Sequence, residues 1–487
     1  LSVVIRGWAR LLHIAAASRQ TRRGKAETLT VDETSFPIAK PRDALLIAYK
    51  AFADLAGKGS LFVIVIVAAR RLTPESFGVF SLGSTLGWMV AVASDCGIQL
   101  HLARAVARRP ADAARLLRGW LRVRMWTAAA AVAAVAIGVA AGWGTTGAAP
   151  IAILALVYAC SGLVELLHYF YRGLSRSDIE SSLTLWQRGG TLACGLAALV
   201  WKPDVTVLAV AMLIPVVVTL GFSLRIASTL AGLKPRATFP AAPATGTPGL
   251  TPTALAPAKD PGVGVVARGF VVVSQGFSPA FSEFRRDVWP IGLGIVLSAL
   301  YFRIDVFLVQ WWSGTEAVAF YNAVFRLVEA LRLFPAAVLA VILPSLVRAG
   351  DLRPTGRAAV FVCAFAIVAS AVLWAGAGRL IPLVYGDRYA AAVPAFRVLL
   401  LSFPFLSLNL ALTHQLIAWD GQRVYAALCA LALAVNVGLN ARLIPLWSIE
   451  GAAWATLGTE LVLTAGCVLA LWILRAPVPA GHLVTES

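Results

Sequence analysis

The chain has 487 residues, 59% hydrophobic and 14% charged, with 42 Lys+Arg against 24 Asp+Glu, a formal net charge of +18 and a mean hydropathy of +0.80. Soluble domains are about 45–50% apolar and about 25% charged, so this composition excludes one and describes an integral membrane protein. Strand-like alternation is absent, which excludes an outer-membrane barrel, and the basic residues sit in short loops between apolar runs, as the positive-inside bias requires, so no nucleic-acid surface is read from the charge.

In chain order, residues 1–41 are polar and basic. Arg6 and Arg10 interrupt the opening LSVVIRGWARLLHIAAA, leaving it too short and too charged to span. It reads as a disordered or interfacial extension or a start-site artefact, and not as a cleaved signal peptide. About twelve apolar segments follow, roughly 44–69, 77–99, 120–142, 149–170, 183–201, 205–229, 288–311, 317–346, 358–377, 394–418, 424–445 and 451–474. Each is close to the roughly 20 residues a helix needs to cross a bilayer. Residues 231–287 contain PAAPATGTPGLTPTALAPAKDPG, a Pro/Ala/Gly/Thr-rich run with no apolar face to bury, which reads as a flexible cytoplasmic linker. The expected fold is therefore all-α and membrane-embedded: a six-helix lobe over 42–230, the linker, a second six-helix lobe over 288–475, and a tail at 476–487.

Charge orients the spans. The link after the second, ARAVARRPADAARLLRGWLRVR, carries Arg104, Arg108, Arg109, Arg115, Arg118, Arg122 and Arg124 against Asp112, whereas GWGTTGAAP after the third carries none. Even-numbered links and both termini are thus expected in the cytoplasm. Arg70 and Arg71, in the first link, run against this rule.

The first link also holds a helix-start signal, RLTPESFGVF: Thr73 as N-cap, Pro74 at the first helical position and Glu75 at the positive end of the helix dipole. The corresponding place in the second half is Ser313-Gly314-Thr315-Glu316, with capping-box spacing between Ser313 and Glu316. Glu75 pairs with Glu316, Gly78 with Ala319 and Phe80 with Tyr321 at an offset of 241; His168 pairs with His414, Arg176 with Gln422 and Asp204 with Glu450 at 246. Nearly constant offsets predict a duplication of the six-helix unit, the two copies parallel about an axis along the membrane normal.

Charges within the spans are the candidate functional residues, because each costs on the order of 2.5–3.5 kcal/mol at mid-membrane unless it faces protein or water. Lys50, Asp54 and Lys58 lie on one face of the first span, with Gly57 and Gly59 permitting close approach or a bend. Arg303 and Asp305 lie in the seventh span, and Arg326, Glu329 and Arg332 in the eighth. Lys50, Lys58, Arg303, Arg326 and Arg332 together describe a cationic cavity for a pyrophosphate, with Lys58 and Arg303 deepest. Asp54, Asp305 and Glu329 are coupling residues or ion-pair partners. The structural readings stand alongside: Lys50 snorkels, Arg326 and Glu329 neutralise each other at i, i+3, and Asp95 before Gly97 caps a helix or ties two together. The six cysteines lie in apolar helices without CxxC spacing, so neither disulfide nor metal is expected. Trp143, Trp201, Trp311, Trp312 and Trp447 at span ends fit an aromatic belt.

RRLTPESFGVFSL with Asp95, Gly97 and Arg104, RIDVFLVQWWSGTEAVAFYNAVFRLVEAL with Pro344, VYGDRYAAAVPAFRVLLLSF and LNARLIPLWSIEGAAWATLGTEL, in this order across residues 44–474, resemble the Wzx-like polysaccharide (O-antigen-type) flippases. That branch belongs to the MOP superfamily with the MATE exporters and the MurJ lipid II flippases. The resemblance implies two lobes around a cavity alternately open to either face. It implies transfer of an undecaprenyl-pyrophosphate-linked oligosaccharide across the cytoplasmic (inner) membrane for lipopolysaccharide or other surface glycans, with a glycan polymerase as a possible partner. No cofactor and no enzymatic activity are expected. The alternative is a MATE-like ion-coupled exporter of small molecules.

Overall fold

The computed structural model describes residues 41–141, 147–232, 289–339, 353–419 and 421–475. The expected N-terminal extension, central linker and C-terminal tail lie outside the described residues, as does Trp143. Every regular element described is a helix. The first lobe comprises α1 (Pro41–Arg71), α2 (Pro74–Asp95), α3 (Ile98–Arg108), α4 (Ala113–Ala140), α5 (Ala148–Gly173), α6 (Ser177–Trp201) and α7 (Val205–Gly232). The second comprises α8 (Trp289–Leu331), α9 (Arg353–Tyr385), α10 (Val393–Ala418) and α11 (Gln422–Arg475). A 3-10 turn, Asp387–Ala392, joins α9 to α10.

Among the described residues, eight helical stretches are long and apolar enough to cross a membrane. Two of them, Gly292–Leu339 and Gln422–Leu474, have 48 and 53 residues, about 70–80 Å at 1.5 Å per residue and more than twice a hydrocarbon core of about 30 Å. Both break midway. α8 breaks at Gly314 (φ 83, ψ 179), a conformation open to glycine alone. α11 breaks at Ser448 (φ 48, ψ −126), three residues after Pro445, whose ring removes a helical donor. Each long helix therefore supplies two crossing segments, where the sequence places spans seven and eight, and eleven and twelve. α1 and α6 are not among the eight; α6 carries Asp178, Glu180, Gln187 and Arg188 in its first half.

Contacts between links reproduce the alternation of ends. In the first link Thr73 caps α2, accepting from Ser76 N, with Pro74 following. A Cβ at Gly78 would lie 2.1 Å from Thr315 O in the α8 hairpin, and one at Gly147 would lie 2.9 Å from Val79 Cγ1. Ser448 Oγ donates to Ser313 Oγ at 2.9 Å. All of these are odd-numbered links, gathered at one end. At the other end a Cβ at Gly292 would lie 2.2 Å from Cys96 O, so α8 begins where α2 finishes.

Packing follows the same division. One apolar core crosses both lobes and includes Phe77, Phe80, Val306, Tyr321, Tyr385, Tyr389 and Ile449. Toward the even-link end each lobe has its own core, one around Trp120, Leu167 and Phe170, the other around Leu416, Leu428 and Leu471. Large apolar side chains left outside, such as Trp201, Trp311 and Trp447 at 81%, 73% and 55% exposure, face where lipid and its interface would lie.

The second link departs from the sequence reading. It contains a separate amphipathic helix, α3, which begins after Cys96 and Gly97 turn the chain through positive φ. Asp95 accepts from Gly97 N and Gln99 N, both at 3.2 Å, and so caps α3. Arg124, expected in the basic link, is instead buried within α4. Its Nη2 donates to Ala91 O at 2.8 Å and its Nη1 to Ser94 Oγ, with the Asp95 carboxylate 3.9 Å from Nε. It ties α4 to α2, since a buried guanidinium requires acceptors and a counter-charge.

Candidate functional site

The two halves of α8 lie against each other as a hairpin, which brings Arg303 on the first beside Asn322, Phe325 and Glu329 on the second. Arg303 is only 3% exposed. Its Nη2 donates to Glu329 Oε1 at 2.5 Å and its Nη1 to Asn322 Oδ1 at 3.3 Å. Its guanidinium carbon lies 4.6 Å from the Phe325 ring centroid and 5.6 Å from that of Phe302. Arg326, one turn before Glu329, donates to the other carboxylate oxygen, Oε2, at 2.9 Å. Arg332, a further turn on, lies over the Phe302 ring at 4.4 Å. Two guanidiniums thus share the Glu329 carboxylate and two lie against aromatic faces, and the sequence spacing i, i+3, i+6 is what lines up Arg326, Glu329 and Arg332.

Asp305 makes its hydrogen bonds outside this cluster. Two residues along a helix turns the side chain about 200° away, and Asp305 accepts from the Tyr321 hydroxyl and, at 2.8 Å, from Val306 N. Of the expected carboxylates, Glu329 is the ion-pair partner in this structure, and Asp305 belongs to a polar layer between α8 and α11. That layer extends through Thr456, whose hydroxyl is 3.3 Å from Tyr321 Oη. Glu460, 2% exposed, accepts from Asn409 Nδ2 at 2.7 Å. A small cavity of about 10 Å³, bordered by Asp305, Asn436 and Glu460, separates the two. Glu460 went unremarked in the sequence reading, although a carboxylate amid the apolar stretch 451–474 meets the same criterion that singled out Glu329.

In the other lobe, Lys58 is exposed on α1, which runs helically without interruption through it. Gly57 serves close approach: a Cβ there would lie 3.1 Å from Arg188 Cγ of α6, while a Cβ at Gly59 would meet nothing within 4 Å. The side chains of Lys50 and Asp54 lie outside the described residues. Arg303, Arg326, Arg332 and Glu329 are therefore brought together, and Lys58 is presented separately. Among the described residues no group of three or more His, Cys, Asp and Glu could hold a metal ion.

Two six-crossing lobes with this hairpin between them can be set against known structures. A multidrug-resistance MATE family transporter of the MOP superfamily in an inward-facing conformation superposes with a TM-score of 0.64 at 12% identity, covering 85% of this chain and 94% of that one. The lipid II flippase MurJ, inward closed, gives 0.63 at 12% identity over 88% and 87%. The chain shares its fold with these two transporters. A further MOP transporter of the MATE family, outward-facing, gives 0.55 at 13% identity over 88% and 95%. Residues 47–244 match the family model described as "Polysaccharide biosynthesis protein". No curated protein matches. The resemblance read from the residues is borne out: residues 47–244 match the polysaccharide-biosynthesis family model, and fold similarity to the MATE and MurJ structures extends over 85–88% of the chain.

Proposed function

We propose that this protein carries a polyprenyl-pyrophosphate-linked oligosaccharide from the cytoplasmic to the outer leaflet of the cytoplasmic membrane by alternating access, in the synthesis of a surface polysaccharide. The observation that carries the reading is the gathering of three guanidiniums on the α8 hairpin, with Arg303 and Arg326 both paired to Glu329 and Arg332 held over the Phe302 ring. A pyrophosphate is the ligand such a cluster suits, because planar guanidiniums pair bidentately with phosphate oxygens. Arg303 and Glu329 form the fixed base of the site, Arg326 and Arg332 its adaptable part, and Lys58 and Lys50 contribute from α1 as point charges. The match of residues 47–244 to a polysaccharide-biosynthesis family supports the glycan. Fold similarity to transporters described as inward-facing, inward closed and outward-facing supports the cycle.

The second reading is a MATE-like ion-coupled exporter, favoured by the buried carboxylates Asp305 and Glu460. Proteoliposomes separate the two. Movement of a fluorescent polyprenyl-pyrophosphate disaccharide between leaflets, without efflux of small organic cations, is the expected result; the reverse pattern selects the exporter. Asp54→Asn addresses coupling. Its effect on flipping is mild if Asp54 only partners a lysine, and severe with an altered pH profile if it carries the coupling proton.

A further inference from the structure

We propose that Arg70 and Arg388 form a reciprocal latch that holds the two lobes closed at the odd-link end, and that breaking it opens the protein toward that side. Arg70, in the last turn of α1, reaches across the lobe boundary; its Nε donates to Val384 O at 2.8 Å and its Nη2 to Leu383 O. Arg388, in the 3-10 turn after α9, reaches back, and its Nη2 donates to Ala69 O at 3.1 Å and to Arg70 O. Each arginine therefore satisfies the terminal carbonyls of the other lobe's helix. Those carbonyls have no partners within their own helices and carry the negative end of the helix dipole. Neither arginine has to give up a carboxylate when the lobes separate, because backbone acceptors can pass to water at that end.

The arginines sit beside an aromatic seal. Phe77 of α2 meets the Tyr389 ring edge-on at 6.1 Å between centroids, and Phe320 of α8 meets the same ring at 5.4 Å. Tyr389 is fully buried, yet its hydroxyl has no hydrogen-bond partner among the described residues. A buried hydroxyl without a partner is paid for only in the closed arrangement and is relieved on opening, as expected of one half of a two-position element. The latch also accounts for basic residues on the side where the positive-inside rule disfavours them. Arg70 and Arg388 are committed to helix ends.

This inference rests on the alternating-access reading for its purpose, but its test needs no substrate. Spin labels at Glu75→Cys and Asp387→Cys, both exposed and on opposite lobes, are introduced into a protein freed of its native cysteines, and their separation is measured by double electron–electron resonance. The latched protein gives one short distance. Arg70→Ala and Arg388→Ala each raise the ratio of a longer-distance population to the short one about tenfold, the equivalent of one charge-assisted hydrogen-bond set. Arg388→Lys, which keeps a donor but loses the fork, gives an intermediate shift and serves where the alanine variants fail to insert. Arg71→Ala leaves the distribution unchanged. A single short distance in the alanine variants, or an equal shift from Arg71→Ala, overturns the latch. Loss of flipping in proteoliposomes with an intact distance response would instead overturn the proposed function alone.

Discussion

Glu329 decides how the cationic cluster behaves. It pairs with Arg303 and Arg326 at once, one negative charge against two positive, so an incoming anion would compete for its place. Removing one partner of a buried ion pair costs about 3–5 kcal/mol, because the other charge is left uncompensated. Glu329→Gln is therefore expected to lower the thermal unfolding temperature. Inorganic pyrophosphate should then restore more stability to the variant than it adds to the native protein, measured by intrinsic fluorescence. An equal pyrophosphate response in both proteins would show that the cluster is structural only. Arg303→Lys should lose stability as well, because an ammonium cannot reach Asn322 and Glu329 while also lying flat against Phe325. The pairing of Arg326 with Glu329 was legible from i, i+3 spacing. The burial of Arg303 and Arg124 was not, since it depends on which helix packs opposite.

At the scale of elements, the helix boundaries were largely legible because Pro, Gly and Thr mark them. Thr73-Pro74 starts α2 and Gly314 breaks α8 where the sequence places links. α3 was missed because a short amphipathic helix rich in arginine reads as a basic loop until its apolar face, Ile98, Leu102 and Val106, is seen packed against Trp120 and Leu167. The polar layer joining Asn409, Glu460 and Thr464 was also hidden, because its members lie on different helices and each alone reads as a tolerated polar residue. The repeat acquires a physical consequence at Gly78. Its side-chain position falls on the backbone of Thr315, so the two equivalent hairpins meet where only hydrogen fits. Gly78→Val forces them apart at a cost of about 1–3 kcal/mol from overpacking. A lower unfolding temperature than that of Gly59→Val, where the space is open, is the expected readout; equal temperatures would contradict the close contact.

At the scale of the whole molecule, the alternation of ends makes topology a direct prediction. Reporter fusions at Gly144 and Asp387 should read as external and one at Gly246 as internal; an external signal at Gly246 would invert the scheme and place the latch on the cytoplasmic side. The shared core at the odd-link end and the separate cores at the even-link end fit a molecule that receives its cargo between the lobes. There a cationic surface contributed by both lobes would meet a pyrophosphate. The most direct measurement is flipping activity, in a complementation or proteoliposome assay, of Lys58→Glu and Arg326→Glu, one from each lobe, at membrane levels equal to the native protein. Loss of glycan translocation in both is the predicted result, with partial activity retained by Lys58→Arg. Full activity in both charge reversals would contradict a cationic substrate site and leave the exporter reading in its place.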